Sequence, residues 1–300
     1  MLKDRPLGTL AELWRFPVKS MQGERVGALT VQSGGVLGDR AYALIDVATG
    51  NVVSAKSAKL FPTVLQCRAA FVHEPVVDAP APVVRIVLPD DTVVDSDSGD
   101  ANQRLSAWFK RDVQLAHTAP ASFTIDMHQP DLEAGDARAD QGRSVDQKLG
   151  AALFAELGAK SPVPAGSFLD LYPMSVLTTA TLAELRKLAP NSNIDARRFR
   201  MNAVIDTAGS GQELGFPENE WTDLRIRCGA HVSLHIVMPD PRCVMVTLKQ
   251  GDLDADMQVL RALTQHNRIK TAWGELPCAG VYAAVEAEGE LRVGDAVVCA

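Results

Sequence analysis

Met238-Pro239-Asp240-Pro241-Arg242-Cys243-Val244-Met245-Val246-Thr247 brings two prolines, an arginine, a cysteine and a β-branched run together in ten residues. Pro239 and Pro241 cannot donate to a central ladder, whereas Val244 to Leu248 is apolar or β-branched almost throughout, so the pattern predicts a turn and then a strand that begins at Cys243. Cys243 then stands at the rim of a sheet. A thiol directly behind a guanidinium ionises more easily, and the thiolate is the form that attacks electrophiles or ligates a soft metal. The competing reading is a small apolar core cysteine, because Cys is among the most buried residue types. One cysteine does not separate the two, and the neighbourhood has to.

The chain has 300 residues, with 46% hydrophobic and 22% charged side chains, which excludes wholesale disorder and coiled coil and leaves material for two ordinary domains. No apolar run reaches the ~20 residues of a membrane helix. Met1 to Leu13 carries Lys3, Asp4, Arg5 and Glu12 and lacks the apolar core of a secretory signal, so a cytoplasmic protein with no membrane partner is expected. A net charge of −7 argues against sequence-independent nucleic-acid binding, which depends on phosphate neutralisation. Five cysteines, at 67, 228, 243, 278 and 299, form no CxxC pair, so neither a disulfide framework nor a zinc site is expected. Cys228 and Cys278 fall in expected turns, and Cys299 adjoins a terminus expected to fray.

Toward the N-terminus the chain reads as short strands and tight turns: Leu10 to Phe16, Val26 to Gln32, Ala41 to Val47, Val64 to Val72 and Val83 to Leu88. Strands at this spacing predict a barrel or curled sheet. Asp100 to Arg111 predicts a helix with Leu105, Trp108 and Phe109 on one face. Phe123 to Gly142 is rich in Asp, Gly, Ala and Pro without a sustained period, which predicts a linker or surface loop. The resulting division is 1–124, a connecting segment 125–144, and 145–300. In the last part Val145 to Leu157, Leu182 to Leu188 (capped by Thr179 or Thr181) and Asp256 to Thr264 are expected helices. Phe168 to Leu177, Phe199 to Asp206, Leu224 to Ile226 and His231 to Val237 are expected strands, and Val281 to Glu286 with Leu291 to Val298 an expected closing hairpin. The fold class is mainly β with flanking helices.

Three clusters carry chemistry. Pro17-Val18-Lys19-Ser20 and Gly38-Asp39-Arg40 place a lysine, a hydroxyl and an arginine on loops beside strands, a donor set that suits an anion. Arg197-Arg198-Phe199-Arg200-Met201-Asn202 puts Arg198, Arg200 and Asn202 on one face of an expected strand. The competing reading for each is a solvated charge or a guarded sheet edge. His231 and His235 lie on one face of a strand but about 13 Å apart, too far for one metal. Glu218 and Glu220 read as a solvated loop. No dinucleotide or P-loop glycine motif occurs.

Taken together the motifs resemble the MOSC family, the molybdenum cofactor sulfurase C-terminal domain proteins, in the two-part form that carries a MOSC N-terminal β-barrel domain and includes the amidoxime-reducing components and bacterial counterparts. The resemblance rests on Phe16 to Ser20, Gly35 to Arg40, Pro173 to Leu182, Phe199 to Asn202, Pro241 to Cys243, Gly280 to Ala283 and Gly294-Asp295, in that order along the chain. Met201 stands where the family has Pro, and Val53-Ser54-Ala55-Lys56 replaces its Thr-x-Arg.

The resemblance implies a MOSC β-barrel after the N-terminal barrel-like domain, and a molybdenum cofactor, the metal bound to molybdopterin. It implies Cys243 as metal ligand and catalytic residue, with Lys19, Ser20, Arg40, Thr178, Thr179, Arg200, Asn202 and Arg242 holding the cofactor. The activity it implies is reduction of small N-hydroxylated compounds, with electrons from a separate ferredoxin- or flavoprotein-type donor. A cofactor carrier or sulfur-handling protein is the alternative. A pyridoxal phosphate label also attaches to the family as a whole.

Overall fold

The computed structural model describes residues 4–129 and 143–300. Its centre is a closed seven-stranded barrel: β1 (Pro6–Arg15), β2 (Met174–Thr178), β3 (Ala203–Asp206), β4 (Arg225–Cys228), β5 (Val232–Pro241), β6 (Gly274–Ala287) and β7 (Ala296–Cys299). The order is β2-β3-β1-β7-β4-β5-β6, and β6 pairs back onto β2 to close it. Only β2 and β3 run parallel within the barrel. The first strand of the chain is therefore a stave of a barrel whose other strands all come after residue 173.

β1 shows how the sequence achieves this. Leu7, Leu10 and Leu13 are spaced by three, which a regular strand would send to both faces, yet all are buried. Register shifts between Pro6 and Gly8 and between Leu10 and Glu12 restore the inward direction. Gly8, at φ 143°, is required there, because a Cβ would lie 2.0 Å from the Asp206 carbonyl oxygen. The inward side chains of the other strands, among them Val176, Ile205, Ile226, Leu234, Val281 and Val297, pack with a sealed Trp221 into one core. Each fully buried Leu, Ile or Val contributes roughly 1.5–3 kcal/mol.

The N-terminal part outside β1 is a set of small antiparallel sheets, 43–46 with 113–116 and 68–71 with 84–87 and 93–95, around a second core that includes Val18, Leu44, Phe61, Ile86 and Leu105. α1 (Ala101–Phe109) covers it through Leu105. α2 (Gly150–Glu156) follows the 143–148 strand. α3 (Thr179–Leu188) and α4 (Gln258–His266) share a third core with Phe199 and Val246. No helix among the described residues is long and apolar enough to cross a membrane.

Several expectations change. β5 runs through both prolines and stops at Pro241, and Val244–Thr247 is a 3-10 turn, so Cys243 follows a strand rather than starting one. The prolines are tolerated because β4 pairs only with Val232 to His235, and register shifts at Ile236/Met238 and Pro239/Pro241 absorb the missing donors. Ala196–Phe199 is a 3-10 turn and Arg200 is left-handed at φ 57°, so Arg198, Arg200 and Asn202 do not share a strand face. Thr178, not Thr179 or Thr181, caps α3, its hydroxyl accepting from the Thr181 amide. No closing hairpin forms: Gly289–Arg292 pairs with Ala28–Gln32, and β7 pairs with β1 and β4. Thr124–Gln129 and Arg143–Lys148 form an antiparallel ribbon at the ends of the expected connecting segment, whose residues 130–142 lie outside those described.

Candidate active site

A pocket opens between the N-terminal sheets and the barrel. Lys19 and Ser20 reach it from the loop after β1, Arg40 from the Gly38-Asp39-Arg40 turn, and Lys56 from the turn capped by Ser54. Asp170, Tyr172, Arg198, Arg200, Asn202, Asp240, Arg242, Cys243 and Tyr282 come from the C-terminal part. Six cationic side chains face two carboxylates, so the cavity attracts anions.

Three of the eight non-glycine residues with positive φ among the described residues line this pocket. Ser20, Arg40 and Arg200 have φ of 63°, 47° and 57°, a region that non-glycine residues rarely occupy. Neighbours hold them there. The Arg40 amide donates to the Phe16 carbonyl at 2.7 Å, and the Ser20 hydroxyl accepts from the Ala55 amide at 3.0 Å. Arg40 and Arg200 each sit 4.4 Å from the centroid of the Phe16 ring. Arg40 donates to the Arg200 carbonyl at 3.1 Å and pairs with Asp39, while Arg200 donates to the Met21 carbonyl. Burial and the adjacent Arg40 pull the Arg200 guanidinium down to about 9, which leaves it charged at neutral pH.

A second group is Lys19, Lys56 and Asp170. Asp170 accepts from Lys19 and, at 2.9 Å, from Lys56. Burial pushes its carboxyl up, but the two ammonium groups outweigh burial and hold it well below the usual range. Burial lowers Lys19 to about 8 against the pull of Asp170. Lys56 moves the other way: burial opposes its charge, and Asp170, Cys243 and Asp240 together overcome it.

Cys243 is the partly exposed thiol; Cys67, Cys228, Cys278 and Cys299 are free and buried. Cys228, Cys278 and Cys299 lie within barrel strands, not in turns or a fraying end. Burial pushes the Cys67 and Cys228 thiols up to about 12 and that of Cys278 to about 11. The Arg242 guanidinium is engaged by other acceptors. It donates to the Ala279 carbonyl at 2.9 Å, the Phe199 carbonyl at 2.8 Å and Asp240 at 2.5 Å, bracing the end of β5. Cys243 lies close enough to contribute to the upward shift of Lys56. Asp240 is raised to about 6 by burial, against Arg242, the Tyr282 phenol and Lys56.

Of the residues expected at the site, the fold brings Lys19, Ser20, Arg40, Arg200, Asn202, Arg242 and Cys243 to one pocket. The Asn202 amide is already committed, donating to Asp39 at 2.9 Å and accepting from the Ser175 hydroxyl at 3.0 Å. Thr178 and Thr179 lie outside the lining. Their hydroxyls donate to Glu218 at 2.7 Å and to Asp206 at 3.0 Å. Glu218 is fully buried, which corrects its reading as a solvated loop residue. Lys56, Asp170, Asp240 and Tyr282 were missed. Lys56 falls in Val53-Ser54-Ala55-Lys56, the stretch that departs from the family's Thr-x-Arg; Asp240 was hidden between two prolines and read as part of a turn.

The MOSC N-terminal beta barrel domain matches residues 7–118, and the MOSC domain matches residues 165–298. Mitochondrial amidoxime-reducing component 1 of Mus musculus is 25% identical over 97% of this chain and 82% of its own length. Mitochondrial amidoxime reducing component 2 of Homo sapiens is 25% identical over 97% of this chain and 83% of its own. Among solved structures, the YUAD protein from Bacillus subtilis covers 97% of this chain and 93% of its own, with 10% identity and a TM-score of 0.41.

Proposed function

We propose that this chain, composed of a MOSC N-terminal beta barrel domain followed by a MOSC domain, is a molybdenum cofactor-dependent oxidoreductase that reduces small N-hydroxylated compounds. The observation that carries the reading is the partly exposed Cys243 thiol on the wall of a cavity with six cationic side chains. The name shared by the relatives supports the reaction class.

The residues present fit such a group. A pterin phosphate would meet point charges from Lys19 and Lys56, planar forks from Arg40 and Arg200, and the Ser20 hydroxyl. Asp170 keeps both lysines aimed at the cavity, so they are positioned before an anion arrives. Cys243 would offer a soft donor to the metal of such a group. When bound, the cofactor supplies two-electron chemistry at the nitrogen–oxygen bond. The protein contributes an anion-binding basin, an acidic wall at Asp240 and aromatic surface from Tyr172 and Tyr282, whose ring centroids are 5.7 Å apart. Electrons come from a separate ferredoxin- or flavoprotein-type donor.

The test is expression in a host that makes the cofactor, followed by metal analysis and turnover with an artificial electron donor. About one molybdenum per chain and reduction of an N-hydroxylated probe are expected. Folded protein without molybdenum overturns the reading, and transfer of cofactor to an apo acceptor without turnover replaces it with a carrier.

A further inference from the structure

Removing a hydroxyl oxygen from nitrogen needs protons at the right place. For a hydroxylamine-type group the balance is R–NH–OH plus two electrons and two protons giving R–NH2 and water. The N–O bond breaks, and the electrons come from the separate donor. Hydroxide is a poor leaving group, so an acid beside the departing oxygen lowers the barrier.

We propose that Asp240 is that acid, and that Tyr282 holds its carboxyl in position; the inference rests on the reaction proposed above. Asp240 passes one proton to the oxygen that leaves as water. The second proton comes from solvent and ends on nitrogen, and the Asp240 carboxylate is then reprotonated by solvent.

The geometry comes first. Asp240 lies near the end of β5, three residues before Cys243, and both line the same cavity. Its side chain is 4% exposed, so water does not compete freely with a bound substrate for the carboxyl. Arg242 fixes one oxygen at 2.5 Å, and the Tyr282 phenol lies beside the carboxyl and favours its ionised form. The charged and titratable groups that face it are Arg242 from its own strand end, Tyr282 and Cys278 from β6, Lys56 from the N-terminal part and Asp170 from the loop before β2.

Arg242 favours the carboxylate, but its guanidinium is shared with two backbone carbonyls, and burial dominates. The carboxyl is therefore held near about 6, where an acid of this kind both carries and releases a proton near neutrality. The other pocket groups are less suited. Two lysines keep Asp170 ionised, and burial holds Tyr282 well above its ordinary value. Lys19, lowered to about 8, is bound to Asp170 and to the Phe168 carbonyl.

The experiment uses holoenzyme of wild type, Asp240→Asn and Tyr282→Phe, with molybdenum content measured for each. Wild-type kcat should fall as pH rises through about 6. Asp240→Asn should lower kcat by about 10²-fold or more and lose that limb. Tyr282→Phe should move the limb to higher pH, because the phenol favours the carboxylate. Independently of turnover, infrared difference spectra of cofactor-free protein should show a protonated-carboxyl band that titrates in wild type and is lost in Asp240→Asn.

Wild-type turnover with an unchanged Asp240→Asn profile overturns the proposal alone, and so does a single limb near 8, which would point to Lys19. A wild type that carries molybdenum but reduces no N-hydroxylated probe overturns the reaction, and this inference with it.

Discussion

Glu218 and Asp240 are both buried carboxylates of the C-terminal part, and burial pushes both upward, yet they sit in different kinds of surroundings. Glu218 accepts from the Thr178 hydroxyl at 2.7 Å, the Thr181 hydroxyl at 2.6 Å and the Gly280 amide at 3.1 Å. All three donors are neutral, and Glu218 borders no part of the pocket. It ties the end of β2, the start of α3 and β6 together. Asp240 instead has a guanidinium, a phenol and an open cavity beside it. A carboxylate sealed among neutral donors is a joint; one with cationic neighbours and a free side is placed for chemistry. The cysteines divide in the same way, four sealed and one on the pocket wall.

The largest effect expected from that division is at the thiols. Cys243→Ser keeps the size and exchanges a soft donor for a hard one, so N-hydroxy reduction should fall at least 10³-fold while the melting temperature stays near wild type. Serine at Cys67, Cys228, Cys278 or Cys299 puts a hydroxyl into a sealed site and should cost stability, on the order of 1–3 kcal/mol, with most activity retained. Full activity in Cys243→Ser, or an equal loss in Cys228→Ser, would erase the distinction.

Glu218 supplies the next. Glu218→Ala leaves three donors without an acceptor in a site closed to water, and should cost about 3 kcal/mol in urea unfolding. Glu218→Gln keeps one carbonyl oxygen and should recover much of that. Activity per folded, loaded molecule should be near wild type in both. A selective loss of activity without loss of stability would make Glu218 part of the site.

Sequence pattern carried the barrel further than the pocket. The expected strands Leu224 to Ile226 and His231 to Val237 meet as the β4–β5 hairpin, in which Arg225-Ile226-Arg227-Cys228 buries one face and leaves the other wet. Family motifs brought Lys19, Arg40 and Cys243 to one place. What pattern could not supply was direction. Arg242 lies next to Cys243 in sequence but turns to backbone carbonyls, while Lys56, far away in the chain, lines the same pocket as the thiol. Val244 to Thr247 is β-branched or apolar, yet forms a 3-10 turn, because tertiary packing of Val246 against α4 outweighs a four-residue strand preference. Asp240 reads as a turn residue until β5 is seen to continue through both prolines.

The smallest effect is also the most direct comparison of the two kinds of carboxylate, because it concerns folding alone. Asp240 is raised from 3.8 to about 6, so the folded protein binds an extra proton between those values. The contribution of this group to stability is then fully present below 3.8 and is lost as pH rises through about 6. Asp170 has the opposite sign: its carboxyl is depressed, so its contribution is present above 3.8 and falls away only at lower pH. Between about 4 and 6 Asp170 is therefore constant and Asp240 is not. Lys19, lowered to about 8 from 10.5, acts only in the alkaline range, where it makes stability rise with pH. The difference in unfolding free energy between wild type and Asp240→Asn should accordingly shrink by on the order of 2 kcal/mol across that acid window. Asp240→Asn leaves Arg242 without its counter-charge, which displaces the whole curve but not its slope. A difference that stays flat across the window would mean that Asp240 is ionised throughout, as Asp170 is, and that its place on the pocket wall gives it no proton to deliver.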